Sequence, residues 1–238
     1  MLIEVSKKFE KWFKGYCSSP TVILLFVYFK LRYSLSYRDL EEMMKIRGGS
    51  VDHSTLARWV IKFSKLIEKQ VRRHKMAVSK SWRMDETYIK LNGKWIYLYR
   101  AVDKFGNTID FLLRNKRDAQ AAKAFFKRAI RNNGDPEKVT MDKSGSNKSA
   151  VIAINKDRHQ EKKIEIRQLK YLNNIVEQDH RFIKKKIRPM LGFKNFHAAQ
   201  RTLAGIESIR MIQKGQIYGF DKKLSTFHNF VNLMEKSA

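Results

Sequence analysis

The stretch SWRMDETYIKLNGKWIYLYRAVDKFGNTIDFLL, residues 81–113, decides the fold. Side chains alternate with a period of two along much of it, and it is rich in aromatic and β-branched residues, which is typical of β-strands. Asn92-Gly93 is a strong signal for a two-residue hairpin, and the KFGN segment marks a second turn. The stretch therefore predicts an antiparallel meander, with strands over 81–91, 94–103 and 108–113.

Helices and strands alternate after this meander. The amphipathic segment 118–130 is expected to form a helix capped by Asp118, and KVTMD at 138–142 is expected to form a short buried strand. A short helix is expected over 147–155 and a further strand over 163–169. Two helices follow, one from Asn174 to the break at Pro189 and the last one over 197–214. This order predicts an α/β fold with a mixed five-stranded sheet and helices on its faces.

Residues 1–75 differ from the rest because their apolar residues recur at helical spacing. Ser36 is the expected N-cap of one helix, Gly48 and Gly49 supply a turn, and a second helix follows. This order is the outline of a helix-turn-helix motif, in which the start of the second helix faces DNA bases. The residues at that start are His53, Ser54, Thr55 and Arg58. An ordinary helical hairpin has the same outline, so the pattern alone leaves both possibilities open.

Charge and composition narrow the class of protein. The chain has 50 Lys and Arg against 23 Asp and Glu, a net charge of +27, and 43% of its residues are hydrophobic. A folded protein with a cationic surface indicates a polyanionic partner, and nucleic acid is the first candidate. An acidic membrane surface is the alternative partner, but no basic amphipathic anchor stands out. The most apolar run, 21–29, is about half as long as a membrane-spanning helix, so no membrane association is expected. The single Cys17 excludes an internal disulfide and a zinc cluster. Trp82 and Trp95 are expected to pack in the core or on a sheet face rather than to stack on bases.

Three acids stand out against this basic background. Asp85 lies mid-strand, where Asp is disfavoured, and Asp142 ends a different buried strand, where α/β folds place ligand sites. Glu177 shares one ridge of its helix with basic side chains. The basic members of that ridge are Arg181, Lys184 and Arg188. Carboxylates that converge from two strands and a helix can hold Mg²⁺ ions.

Simpler expectations apply to this helix as well. Glu177 could serve as the third residue of a capping box at the helix start, with no role in chemistry. Asp179 falls within the apolar stripe, so it should be buried and hydrogen-bonded or lie near a helix end. His180 is expected to be a neutral, half-exposed helix residue.

The segments WRMDETYIKLNGKWIYLYRAVDKFGNTIDFLL and IRQLKYLNNIVEQDHRFIKKKIRPMLGFKNF resemble the IS6 family (IS26-like) of insertion-sequence transposases. The resemblance covers nearly the whole chain and includes LSYRDLEEMM and HSTLARWV. Asp85 lies in MDETY, Asp142 in TMDKS and Glu177 in NNIVEQDHR. The 34 residues between Asp142 and Glu177 match the family's D-34-E pattern. Lys184 matches the basic residue that follows the Glu in these enzymes.

The resemblance implies a DDE transposase of the retroviral-integrase superfamily, with an RNase H-like core. Asp85, Asp142 and Glu177 would hold two Mg²⁺ ions, for which Mn²⁺ can substitute. Lys184 would contact DNA near the scissile phosphate, beside the neighbouring cations of the ridge. The protein would bind the terminal inverted repeats of its element and target double-stranded DNA, and it would catalyse strand cleavage and strand transfer. We expect a homodimer or higher homo-oligomer that acts in the prokaryotic cytoplasm, at the nucleoid.

Three domains are expected from these assignments: a helix-turn-helix domain over 1–75, a catalytic domain over 76–215 and a C-terminal extension over 216–238. One segment departs from the family, because DKSGSNKSAVIAI at 142–154 lacks the DKN and Tyr-Pro pattern. Two alternatives stay open. The first, which this segment favours, is a catalytically decayed or domesticated copy that only binds DNA through its helix-turn-helix. The second is an RNase H-fold nuclease that cuts nucleic acid without joining it.

Overall fold

The computed structural model describes residues 3–235. The chain forms two compact units. The first contains the described residues up to Met76 and those from Lys185 onward, and the second is Ala77–Lys184. No helix within residues 3–235 is both long and apolar enough to span a bilayer.

The secondary-structure elements follow one another along the chain with short 3₁₀ turns between some of them. Their bounds are α1 (Glu10–Phe13), α2 (Pro20–Arg32), α3 (Tyr37–Ile46), α4 (His53–His74), β1 (Ser81–Leu91), β2 (Lys94–Asp103), β3 (Thr108–Arg114), α5 (Ala119–Asn133), β4 (Lys138–Thr140), α6 (Gly145–Asn155), β5 (Glu165–Arg167), α7 (Asn174–Ile187), α8 (Phe196–Gln213) and α9 (Thr226–Glu235).

The first unit consists of helices whose ends follow the expected signals. The Ser36 side chain accepts the backbone N–H of Asp39, and Asp39 accepts that of Ser36, so the predicted cap of α3 is confirmed as a capping box. Asp52 caps α4 by accepting the backbone N–H groups of Ser54 and Thr55. α8 packs closely in this unit at Gly205, where a Cβ atom would lie 2.4 Å from the Ser64 hydroxyl. A larger residue at this position would require the Ser64 and Leu31 side chains to move.

The expectation that 197–214 forms the last helix is wrong. α9 follows it within the expected C-terminal extension, and its Phe230 and Met234 are buried. The Ser225 hydroxyl accepts the backbone N–H of His228 at 3.2 Å, as an N-cap does. The three-domain division stays a prediction.

The second unit is built on a sheet that the described strands form in the order β3-β2-β1-β4-β5. β1, β2 and β3 are antiparallel, whereas β4 pairs parallel to both β1 and β5. Asn92 and Gly93 have φ angles of 47° and 77°, which the two-residue hairpin requires. The expected mixed five-stranded sheet is therefore confirmed, although β4 and β5 are each shorter than their sequence patterns suggest.

Helices cover both faces of this sheet. Trp82, Met84 and Tyr99 face a buried cluster that includes Phe125 of α5 and Val151 of α6. Because side chains alternate along a strand, Asp85 points to the opposite face, where α7 packs. A mixed sheet in this strand order with helices on both faces is the RNase H-like arrangement.

Candidate active site

Parallel strands bring two of the predicted acids together. β1 and β4 run in parallel, and Arg83 is the partner of Thr140, the last residue of β4. Asp85 and Asp142 each lie two residues further along the chain. Because neighbouring strands lie about 4.8 Å apart, the two acids reach adjacent positions at the same end of the sheet.

α7 supplies the third acid, and two side-chain contacts fix this helix on the sheet. Arg100 is the direct cross-strand partner of Asp85, and its Nη2 donates to Oδ2 of Asp179 at 3.1 Å. Nε2 of His180 lies 3.3 Å from Oδ2 of Asp85. Glu177 precedes His180 by three residues, so it lies on the same side of α7, about one turn earlier.

Asp85, Asp142 and Glu177 open into one cleft with a volume of about 630 Å³. The Asp85 and Asp142 side chains are 20% and 43% exposed, so their oxygens are accessible from this cleft. The other lining residues are Glu86, Tyr88, Arg117, Lys143, Gln168 and Asn173. The structure thus brings the three acids of the sequence pattern to one place, with basic and aromatic side chains around them.

Comparisons with known proteins show the family of the chain. A family model described as a DDE domain, of the IS240 type, matches residues 79–216, and one described as the IS66 transposase family matches residues 16–141. The transposase for insertion sequence-like element IS431mec of Staphylococcus aureus is 44% identical over 212 residues, which cover 84% of this chain and 89% of that protein. The chain belongs to the IS6 family of insertion-sequence transposases. It is a polynucleotidyl transferase of the DDE and integrase superfamily.

Two further proteins are similar to this transposase, one in sequence and one in structure. The transposase for insertion sequence element IS257 in transposon Tn4003, also from Staphylococcus aureus, is 44% identical and covers the same shares of both chains. Among solved structures, the HTLV-2 integrase catalytic core domain in complex with magnesium, in its dimeric form, aligns with a TM-score of 0.42 and 16% identity. That alignment covers 61% of this chain and 99% of the integrase chain.

A second acid, Glu86, lies in the cleft although its backbone position faces away from Asp85. Its side chain is only 2% exposed, forms an ion pair with Arg117 and accepts a hydrogen bond from Asn147 at 2.9 Å. Arg117 also approaches Asp142, with 3.9 Å between Nη2 and Oδ2. Burial raises the pKa of the Glu86 carboxyl, against the opposing effects of Asn147 and Arg117. Arg117 therefore links a buried acid to one of the three cleft acids.

The sequence pattern predicts neither Glu86 nor Arg117 as a residue of the site. Strand alternation places Glu86 on the face opposite Asp85, but the cleft lies where β4 ends, so side chains from both faces of β1 reach it. The sequence does contain one signal for Glu86, since it is an acid directly next to Asp85, which the pattern predicts as a catalytic acid. Arg117 follows β3 in a loop, where no periodic pattern exists to draw attention to it.

The atypical segment after Asp142 is ordered around that acid. The backbone N–H of Ser144 donates to Oδ1 of Asp142 at 3.0 Å, and Gln168 donates to the Asp142 backbone carbonyl at 3.4 Å. The Ser144 and Ser146 hydroxyls lie 3.0 Å apart, and α6 begins at Gly145. The serine-rich segment of this transposase therefore forms a helix and supports the Asp142 carboxylate, although it lacks the family's usual residues.

The residues of α7 agree with one prediction from the sequence and differ from two others. Asp179 is buried and bonded to Arg100, as its place in the apolar stripe predicted. Asn174 is the first α-helical residue, with φ −52° and ψ −32°, so it is not an extended N-cap and Glu177 is not the third residue of a capping box. His180 is 5% exposed rather than half-exposed, because it packs between α7 and the strand that carries Asp85.

Two buried acids outside the cleft have structural roles. Asp103 accepts backbone N–H groups from Ser79, Phe105 and Asn107 at 2.9 to 3.0 Å, which holds the turn between β2 and β3. Asp110 is bonded by α5 side chains, among them Asn132 at 2.9 Å. Their hydrogen bonds account for their burial, and neither lines the cleft.

The basic ridge divides where α7 ends. Arg181 and Lys184 are exposed on the helix, and the Lys184 ammonium lies 5.8 Å from the ring centroid of Tyr88, which lines the cleft. Arg188 is exposed but follows the helix in a 3₁₀ turn, and it belongs to the first unit. Among the three basic residues of the ridge, Lys184 therefore approaches the acidic cleft through its contact with Tyr88.

The four residues expected to face DNA lie together at the start of α4. The Ser54 and Thr55 hydroxyls donate to the Asp52 carboxylate, and Arg58 donates to both hydroxyl oxygens. Nδ1 of His53 lies 2.9 Å from a Glu41 carboxylate oxygen. Arg58 and His53 remain exposed, whereas the hydroxyls are committed to the helix cap. The arrangement gives Arg58 the clearest opportunity to reach a ligand.

The cleft of the transposase offers the right ligand chemistry for magnesium without a preformed cage. Among residues 3–235, no three His, Cys, Asp or Glu side chains are close enough to form a ready metal site. The three cleft acids nevertheless present carboxylate oxygens to one shared space. Oxygen ligands in small number, completed by water and phosphate, are what Mg²⁺ prefers. Asp85, Asp142 and Glu177 therefore fit this ion.

Proposed function

We propose that this transposase binds the terminal inverted repeats of its own insertion sequence, cuts the DNA strand at the element's end and joins the released 3′-hydroxyl to target DNA. The observation that supports this best is the shared cleft, into which Asp85 from β1, Asp142 after β4 and Glu177 from α7 all open. Carboxylates from separate elements at one cleft are the ligand set of metal-dependent phosphoryl transfer.

Asp85, Asp142 and Glu177 would hold two Mg²⁺ ions. When bound, these ions would supply a stronger oxygen nucleophile and would neutralise charge on the reacting phosphate. Cutting and joining are both displacements at phosphorus, first by water and then by the 3′-hydroxyl. One site can therefore serve both steps without a covalent enzyme intermediate.

Cations beside the cleft would hold the DNA backbone against the acids. Arg117 is 38% exposed, and its guanidinium lies between Glu86 and Asp142, where a phosphate entering the cleft would meet it. Lys184 is exposed on the helix that carries Glu177. Charge-assisted bonds from such side chains to phosphate are strong and position the backbone without reading sequence.

End recognition is assigned to the start of α4, with Arg58 as the residue that reaches base edges. A bidentate contact from an exposed arginine to guanine is the commonest specific contact in the major groove. We assign the assembly as at least a homodimer, because a reaction that joins two ends needs two active sites. Its place of action would be the bacterial cytoplasm, on nucleoid or plasmid DNA.

A DNA-binding protein without catalysis is the second candidate, and the atypical residues after Asp142 are what favour it. Under that alternative, the protein would shift repeat-containing DNA in gels but would not nick it with Mg²⁺ or Mn²⁺. An RNase H-fold nuclease would nick without joining, and digestion of an RNA–DNA hybrid would reveal it.

An oligonucleotide joining assay tests the proposal. The substrate is a labelled duplex that carries the terminal repeat found beside the coding sequence and ends in a free 3′-hydroxyl, and the target is a supercoiled plasmid. We expect Mg²⁺-dependent joining by the wild type and none by Asp142→Asn. Asp135→Asn is the matched control, because Asp135 is an exposed acid in a surface ion pair with Arg158. Joining by Asp142→Asn at the control's level would contradict the proposal.

A further inference from the structure

An exposed aromatic surface borders the cleft on the β1–β2 hairpin. Trp95 is 62% exposed and Tyr88 is 49% exposed, while Tyr97 beside them is half-buried. The Tyr88 ring lies 6.2 Å from Trp95 and 5.9 Å from Tyr97, centroid to centroid, both edge to face. We call these three residues the aromatic shelf. Of the two tryptophans expected in the core or on a sheet face, Trp82 packs in the core and Trp95 lies on the sheet face, exposed beside Tyr88.

Strand register explains why the shelf is uncovered. Tyr88 pairs with Tyr97 across β1 and β2, and Lys90 pairs with Trp95. The same sheet face is covered at Tyr99, which stacks on Phe125 of α5 at 6.2 Å. The shelf is therefore the continuation of a core face beyond the helix that covers it. Contiguous exposed aromatic side chains of this kind are typical of a binding surface.

The shelf is continuous with the three acids. Tyr88 lines the cleft together with Asp85, Asp142 and Glu177. The Lys184 ammonium lies 5.8 Å from the Tyr88 ring centroid, so a cation stands between the shelf and α7. A ligand that filled the cleft with a phosphate would meet aromatic rings and a cation next to that phosphate.

We propose that the aromatic shelf stacks on an unpaired base of the DNA strand whose phosphate enters the cleft. The ligand class is single-stranded DNA at a frayed duplex end, and the inference rests on the proposed function for why such an end is present. Base stacking on aromatic side chains is tolerant of sequence, which suits an enzyme that acts on ends and on varied targets. Exposed Lys90 and Lys94 on the same hairpin favour a polyanion over a second copy of a chain with net charge +27.

Fluorescence anisotropy with two probes tests this directly. The probes are fluorescein-labelled (dT)15 and a 15-base-pair duplex, measured without divalent ions. The Tyr88→Ala/Trp95→Ala variant should bind (dT)15 about tenfold more weakly and the duplex within about twofold of the wild type. Tyr88→Phe/Trp95→Phe should retain (dT)15 binding, because phenylalanine still stacks.

Phe105→Ala is the matched control for this experiment. Phe105 is 72% exposed and has Lys104 over its ring at 4.8 Å, but it does not line the cleft. Its replacement should leave (dT)15 affinity unchanged. As a measurement on the intact protein, (dT)15 should quench tryptophan emission of the wild type, and Trp95→Phe should lose most of that quenching.

The outcomes separate the shelf from the proposed function. If the alanine variant binds (dT)15 as the wild type does, the shelf proposal is overturned even when wild-type joining is normal. If the variant changes its oligomeric state in light scattering and keeps its (dT)15 affinity, the shelf is a protein interface and the proposal is likewise overturned. If the alanine variant loses (dT)15 affinity without any other change, the shelf proposal is supported. Failure of the wild type to join DNA would overturn the proposed function and would leave this support for the shelf intact.

Discussion

The guanidinium of Arg100 lies 3.1 Å from the carboxylate of Asp179, and the two side chains are 1% and 7% exposed. Arg100 sits on β2 directly opposite Asp85, and Asp179 is two residues after Glu177. The pair therefore sets how far along the sheet α7 lies. Because Asp85 lies on the neighbouring strand β1 and Glu177 lies on α7, the ion pair helps to hold their two carboxylates at one cleft.

Removing one partner of this pair should destabilise the transposase strongly. Arg100→Met leaves the Asp179 carboxylate buried without its cation, which typically costs about 3–5 kcal/mol. Arg100→Met/Asp179→Leu should recover most of that loss, since an apolar pair of similar volume carries no desolvation penalty. Urea unfolding followed by circular dichroism measures the free energy of unfolding of both variants.

Arg158→Met, which breaks the surface pair with Asp135, is the control and should lose no more than about 1 kcal/mol of unfolding free energy. Equal losses for Arg100→Met and Arg158→Met would mean that the buried pair does not hold α7.

Glu86 should favour activity at the expense of stability. Its pKa is raised mainly by burial, so the unfolded chain releases this proton at lower pH than the folded protein does. Unfolding free energy should therefore fall as pH rises above about 4.5, and Glu86→Gln should be more stable than the wild type at neutral pH. The same variant weakens the charge-assisted bond that holds Arg117 beside Asp142, so we expect joining to fall about tenfold.

Glu137→Gln provides the comparison for Glu86, because Glu137 is an exposed acid of the same unit that does not line the cleft. It should change neither joining nor stability noticeably. A Glu86→Gln protein that is less stable than the wild type at pH 7 would show that the ion pair with Arg117 outweighs the cost of burial.

A buried lysine should make the stability of the first unit depend on alkaline pH. Lys30 is 1% exposed, and burial lowers its pKa from 10.5 to about 8, although Asp39 partly opposes the change. The folded protein releases this proton near pH 8, whereas the unfolded chain keeps it up to about pH 10.5. Unfolding free energy should therefore rise between those pH values, with no contribution from Lys30 to the slope below them.

Lys30→Met removes this dependence and should be more stable at pH 7 by up to about 3 kcal/mol. The measurement is a series of urea denaturation curves from pH 7 to pH 10 on both proteins. Lys65→Met, at an exposed position of α4, should keep the wild-type slope. Parallel pH profiles for wild type and Lys30→Met would show that Lys30 keeps its proton in the folded state.

Arg58 should contribute to recognition of the element's ends. Arg58→Ala should weaken binding to terminal-repeat DNA by about tenfold, because one good arginine–base contact discriminates by about 1–3 kcal/mol. Binding to unrelated DNA of equal length should change much less. Gel-shift titrations at fixed salt measure both, with Lys65→Ala as the control for a lost positive charge. Equal weakening on both DNAs would assign Arg58 to the phosphate backbone.

The sequence predicts most of the fold because its local signals agree with its tertiary structure. Asn92-Gly93 supplies the two positive φ angles that a hairpin needs, and Ser36 with Asp39 forms the capping box its spacing suggests. α9 was missed although Ser225 is a usable N-cap, because the short segment 226–235 follows a turn-rich stretch without a long apolar period. The ends of β4 and β5 depend on which neighbours pair, and no local pattern encodes that.

The acids of the cleft could be found by residue type and spacing, but their supporting residues could not. His180 and Arg117 contact the cleft acids through tertiary packing, at separations of 95 and 25 residues from Asp85 and Asp142 respectively. Neither contact follows from helical or strand periodicity. The exposure of the Trp95 side chain also could not be predicted from the sequence, because it depends on where α5 stops covering the sheet.

The most direct test of the whole account is where divalent ions bind. Crystals of the transposase with terminal-repeat DNA, soaked in Mn²⁺, would show the ions by their anomalous scattering. We predict manganese peaks bounded by the carboxylates of Asp85, Asp142 and Glu177, and their loss in Asp85→Asn/Asp142→Asn. Peaks that lie elsewhere, with these three carboxylates uncoordinated, would contradict the assignment of this cleft as the active site.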